Sequence, residues 1–170
     1  MRIILLTVVF ALFMVSCEND ESTKEAELIT YSELLNQAGF EWFPTRYQEY
    51  QVNDSLITLI SENYNSEEHE FVMFVKPSCG CEGTQEIFPA IVKILDEAGI
   101  DSEKYTFYAM GDEDFNHPYI ESIDINDLPT CVTLKNGIPV YSMLDSLAFI
   151  EAREQDTVLL EHPILYSLQK

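Results

Sequence analysis

Phe71-Val72-Met73-Phe74-Val75-Lys76-Pro77-Ser78-Cys79-Gly80-Cys81 is the stretch whose reading decides the fold. Its first five residues are apolar, β-branched or aromatic without a break. Such a run fits a short strand buried on both faces, as in a central parallel sheet. Pro77 and Gly80 end it, and two cysteines stand in the turn. A helix is predicted from Glu82 to Ala98. Ile87, Phe88, Ile91, Ile94, Leu95 and Ala98 form its buried stripe, and Gly99 closes it. Pro89 lies inside that stripe and predicts a kink.

Outward from this unit the pattern is mixed. Ile29 to Phe40 has helical spacing, with Gly39 as a stop. Glu41 to Gln51 carries Trp42, Phe43, Tyr47 and Tyr50 but is interrupted by Pro44, and reads as irregular. Asp54 is placed to cap a helix from Ser55 to Tyr64. Tyr105 to Met110 is a second β-like run. Gly111 to His117 is an acidic loop, and Pro118 to Ile123 reads as a short helix. Thr130 to Leu134, Asn136-Gly137 and Ile138 to Met143 predict a hairpin. A terminal helix broken near Pro163 ends the chain. The order is that of an α/β domain, and right-handed crossovers make its first two strands parallel.

A cysteine at a strand-to-helix turn, answered some fifty residues later by Leu128-Pro129-Thr130 at a strand start, resembles the thioredoxin family's active site. The resemblance covers about Asp54 to Lys170. It implies a thioredoxin-like three-layer α/β/α fold with a central mixed sheet, and residues 29–53 as an N-terminal helical extension to a domain spanning 29–170. It also implies that Pro129 is cis, that Leu128 offers main-chain contact to a substrate strand, and that Thr130 flanks the site. The family pattern places a kinking proline eight residues after the nucleophilic cysteine. Pro89 lies eight residues after Cys81 and ten after Cys79. Cys81 therefore takes the nucleophile's place, and Thr84 falls where the second cysteine of Cys-x-x-Cys belongs. Three readings of the turn stay open. Cys79 and Cys81 are a Cys-x-Cys redox pair, or Cys81 is a single nucleophile resolved by Cys79 or an outside thiol, or both are remnants on an inherited fold. A thiolate is the nucleophile in disulfide exchange, and a helix N-terminus stabilises it. Glu82 opposes that effect, and Lys76 is placed to offset it. Cys131 shares strand parity with Pro129. It is either a small core residue or a third thiol near the pair.

The N-terminus says where this chemistry would occur. Arg2, the apolar run Ile3 to Val15 and then Met14-Val15-Ser16-Cys17 resemble a bacterial lipoprotein signal. The resemblance implies a signal peptide over residues 1–16 and acylation of Cys17. The several chains of a lipoprotein, unlike one chain, bind a membrane stably. Residues 17–28 read as an acidic linker, and Glu18-Asn19-Asp20-Glu21-Ser22 also resembles a surface-export tag. The expected location is the bacterial cell envelope, anchored at the outer membrane on its periplasmic or surface face. The expected partners are protein thiols or disulfides there.

Composition narrows the classes. A formal charge of −21, with 9 basic against 30 acidic residues and no basic cluster, leaves no counterion-release term for binding nucleic acid. With Cys17 given to the lipid, Cys79, Cys81 and Cys131 remain, too few for a disulfide scaffold. Two alternatives compete with an oxidoreductase. One is a redox-inactive binding lipoprotein on the same fold. The other is a copper carrier similar to the Sco type, in which Cys79, Cys81 and His117 would imitate the ligand set. The spacing departs from that pattern, so no residue is assigned to a metal and no cofactor is expected. Phosphate loops, dinucleotide fingerprints and Gly-x-Ser-x-Gly are absent from the sequence.

Overall fold

A computed structural model describes residues 24–36, 38–81, 83–143 and 159–170. The signal peptide, Cys17, Glu18 to Ser22 and Glu82 lie outside the described residues.

Five strands form one mixed sheet in the order β1-β3-β2-β4-β5. They are β1 (Glu27–Ile29), β2 (His69–Val75), β3 (Tyr105–Ala109), β4 (Thr130–Lys135) and β5 (Ile138–Ser142). The helices are α1 (Tyr31–Leu34), α2 (Phe43–Glu49), α3 (Asp54–Asn63), α4 (Phe88–Glu97) and α5 (Glu161–Ser167). β2 and β3 are parallel, with Met73 opposite Phe107, and α4 makes the crossover between them. The other pairings are antiparallel.

Every residue from Phe71 to Val75 is buried, as a continuous apolar run requires. The strand's period of two then sorts these residues. Phe71, Met73 and Val75 join the core under the helices, with Phe40, Phe43, Phe88 and Ile164. Val72 and Phe74 face the other way, against Tyr108, Ile123, Ile125, Leu128 and Val132. The sheet, its parallel pair and the Asn136-Gly137 hairpin agree with the sequence reading. Both turn residues have positive φ, 54° and 75°.

Other expectations need correction. The third layer is not helical among the described residues. The second face is covered by residues 110–128, which run through turns, Pro118 to Ile123 included. The helix expected from Ile29 is a single turn beginning at Tyr31. Glu27 to Ile29, partly assigned to the linker, pair with β3 instead. Thr30 starts the helix through a capping box, accepting from the Glu33 N–H while Glu33 accepts from the Thr30 N–H. Glu41 to Gln51 is not irregular. Pro44 stands in the first turn of α2, where its missing N–H costs nothing. Asn53, not Asp54, caps α3, accepting from the Ser55 and Leu56 amides. Pro163 likewise sits in the first turn of α5 and does not break it.

Two carboxylates tie the N-terminal segment into the domain. Asp96 accepts from the hydroxyls of Tyr31 at 3.1 Å, Tyr47 at 2.8 Å and Tyr105. This gathers α1, α2 and β3 onto α4. Glu161 is fully buried. It accepts from the Tyr50 hydroxyl at 2.9 Å and the Asn53 N–H at 2.8 Å. Ile29, Leu34, Phe40 and Phe43 of this segment are buried in the main core. Glu161→Gln turns one buried acceptor into a donor, facing either the Asn53 amide or the Tyr50 hydroxyl. It should cost about 2 kcal/mol in chemical unfolding. An unchanged denaturation midpoint would deny the carboxylate this role.

Candidate functional site: the Cys79–Cys81 turn

The cysteine turn stands at the carboxyl end of β2, where the parallel strands end. Lys76 to Cys81 leave the strand, and a wide π-helical turn, Gly83–Ile87, leads into α4. Pro89, expected to kink a helix running from Glu82, instead stands in the first turn of α4, after this wide turn. An α-helix would place the residue-89 N–H on the Gln85 carbonyl, and proline has none. The wide turn ends at Ile87, and α4 starts with Pro89 in its first turn. Departures of this kind are frequent at functional sites.

Cys79 and Cys81 are joined by a disulfide, with their Cα atoms 5.2 Å apart. Both are half-buried, and Gly80 between them is exposed. The Cys81 N–H donates to Cys79 Sγ at 3.2 Å. The hydroxyl of Thr84, itself fully buried, lies 3.2 Å from Cys81 Sγ. A disulfide sulfur carries no proton, so this hydroxyl is the donor. Gln85 Nε2–H donates to the Cys79 carbonyl at 2.9 Å, and the Gln85 N–H to the Cys81 carbonyl at 3.1 Å. The helical segment thus holds both cysteines from below by polar contacts.

Pro129 approaches from β4. Its peptide bond with Leu128 is cis. A Cβ added to Gly83 would lie 3.3 Å from Pro129 Cδ, which places the proline ring against the residue two beyond Cys81. Leu128, Pro129 and Thr130 are all buried. The Leu128 N–H donates to the Asp127 carboxylate at 2.8 Å, and the Thr130 hydroxyl to the Asp127 carbonyl at 2.6 Å.

Cys131 is a free thiol, paired across the sheet with Met73 and buried in the core. Burial pushes its pKa far up, so it stays protonated. It forms no sulfur–sulfur bond with the pair. Glu82, which Lys76 was expected to offset, lies outside the described residues, and the Lys76 charge bears on Asp112. Hydrogen bonds from Glu113 hold the Asp112 carboxyl below its ordinary value, and the Lys76 charge adds to them.

The histidines do not converge on the sulfurs. His117, at the end of the acidic loop, is buried. Its ring meets Phe74 edge-on at 4.7 Å, on the sheet face away from Met73 and Cys131. His69 begins β2 and accepts the Asn65 N–H on Nδ1, and His162 is exposed in α5. Among the described residues no group of three His, Cys, Asp or Glu side chains could hold a metal ion.

Sequence reasoning missed Gly39, Ser78 and Gln85. Gly39 reads as a helix stop, and nothing in the sequence links it to a turn thirty-nine residues away. Comparison with family models, with curated proteins and with solved structures returned no match. Among the described residues, no helix is long and apolar enough to cross a membrane.

Proposed function

We propose that this chain is a thiol–disulfide exchange protein of thioredoxin-like type, exported and anchored in the bacterial cell envelope through acylated Cys17. One observation carries the reading. A Cys-Gly-Cys pair, Cys79 and Cys81, is bonded at the end of a central strand and at the start of a helical segment, with a proline ring from the neighbouring strand β4 against Gly83, two residues on. The sheet order and the parallel β2–β3 unit support the thioredoxin-like part.

In the forward step the Cys81 thiolate attacks a sulfur of a protein disulfide. One substrate sulfur leaves as a thiolate, and Cys81 holds the other in a mixed disulfide. Cys79 then attacks Cys81 Sγ, releasing the second substrate thiolate and forming the Cys79–Cys81 bond. The substrate gains two electrons and the pair loses two. Leu128 and Pro129 would steer the substrate chain, the Leu128 carbonyl being the main-chain group left for pairing once its N–H is spent on Asp127.

Titration of the purified domain in glutathione buffers, with thiols trapped by alkylation and read by mass, tests the reading. A reversible Cys79–Cys81 couple is expected, with Cys131 unmodified while the protein stays folded. A pair that takes up label to the same extent in every buffer would remove the exchange reading and leave the binding lipoprotein.

A further inference from the structure

The N-terminal segment meets the cysteine turn through its main chain. The Gly39 carbonyl accepts two hydrogen bonds, from the Ser78 N–H at 2.9 Å and from the Trp42 indole N–H at 2.9 Å. Ser78 immediately precedes Cys79 and holds φ at 56°, in the left-handed region that residues with a side chain seldom adopt. Donating its N–H to a fixed carbonyl is a direct way to keep it there. Gly39 is well fixed. Its own N–H donates to Glu41 at 3.0 Å, and Phe40 and Phe43 beyond it are buried in the main core. Gly39 also has no space for a side chain. A Cβ there would stand 2.7 Å from Ser78 Oγ and 3.1 Å from Pro77 Cβ, at a φ of 95° that favours glycine.

Building on the exchange activity proposed for Cys79 and Cys81, we infer that Gly39 and Trp42 form a positioning clamp on the cysteine turn, which favours the disulfide over the dithiol and couples the redox state to the indole. The hydrogen bonds at the sulfurs come from the Cys81 N–H and the Thr84 hydroxyl, not from Gly39 or Trp42. The clamp works by restricting the backbone ahead of Cys79, so less conformational freedom is lost when the bond closes. A freed turn gives the dithiol more conformations and moves the equilibrium toward it.

The test is the glutathione equilibrium of the full folded domain. Two glutathione thiols pass two electrons and two protons to the Cys79–Cys81 disulfide, giving two cysteine thiols and glutathione disulfide. Gly39→Ala is expected to shift this equilibrium roughly tenfold toward the dithiol, about 30 mV for a two-electron couple. Trp42→Phe removes the indole donor, keeps an aromatic ring against Phe40 and Phe43, and should shift it the same way by about threefold, the scale of one net hydrogen bond. If Gly39→Ala does not fold, Trp42→Phe carries the test. Trp42 is the only tryptophan, so its emission should differ between oxidised and reduced wild-type protein. Variants that keep the wild-type equilibrium, or an emission blind to reduction, would overturn the clamp while leaving the exchange reading in place. A wild-type disulfide that does not respond to glutathione would overturn both.

Discussion

Asp96→Ala is expected to lower the thermal unfolding midpoint by roughly 10 °C, the shift that about 3 kcal/mol produces in a chain of this size. Three tyrosine hydroxyls converge on this one carboxylate, from α1, α2 and β3. Hydrogen bonds to a charged acceptor are the stronger kind, and the substitution strips the partner from two half-buried tyrosines and the buried Tyr105 at once. Asp96 is itself only half-buried, so solvent offsets part of the loss. The three bonds act as a unit. Tyr47→Phe and Asp96→Ala together should therefore cost less than their sum. The tyrosines add a pH dependence. Burial, with Asp96 behind it, pushes the Tyr31 hydroxyl from 10.0 up to about 12, and it raises Tyr47 and Tyr105 further still. These groups lose their protons more easily when unfolded. Their contribution is fully present below pH 10 and is lost as pH rises through 12 and beyond. Alkaline denaturation followed by circular dichroism should begin in that window. Asp96→Ala should flatten it, and a variant as stable as wild type at every pH would discard the account.

Cys81→Ser is expected to abolish mixed-disulfide formation with a protein or aromatic disulfide probe, whereas Cys79→Ser should trap it. The difference follows from position. Cys81 adjoins the wide turn that leads into α4, with the Thr84 hydroxyl at its sulfur, and backbone N–H groups at a helix start favour a thiolate. Cys79 stands two residues earlier, with the Cys81 N–H on its sulfur, ready to resolve. Without Cys79 the attack proceeds and the mixed disulfide has no internal exit. Intact-mass measurement after brief exposure to the probe reads the outcome. Adduct on Cys81→Ser but not on Cys79→Ser would exchange the two roles. Adduct on neither would end the thiol reading altogether.

The cysteine turn was legible because its signals are local. A five-residue apolar run, Pro77, Gly80 and a long amphipathic stripe specify strand, turn and helix within thirty residues. The Asn136-Gly137 hairpin was legible for the same reason. Pro44 and Pro163 misled because proline both breaks a helix and begins one. Which it does depends on where the helix starts, and that is set by packing of Phe43 and Ile164 into the core. Glu27 to Ile29 carry too few residues for any period to show, and their strand exists only because the β3 edge is there to receive them.

The amino-acid sequence by itself determined an α/β order, a doubly buried central strand, a parallel neighbour and a pair of cysteines at its end. Hydrophobic period and turn chemistry act over a few residues and need no partner to be read. Only the tertiary structure decided the contacts of that turn: the Pro129 ring at Gly83, the Thr84 hydroxyl at Cys81, and the Gly39 carbonyl holding Ser78. It also decided that Cys131 is core and that Asp96 and Glu161 knit residues 29–53 into the domain. These contacts join residues far apart in the chain. They exist because burying one face of the sheet brings its covering helices within hydrogen-bond reach of one another, and no local pattern encodes that distance.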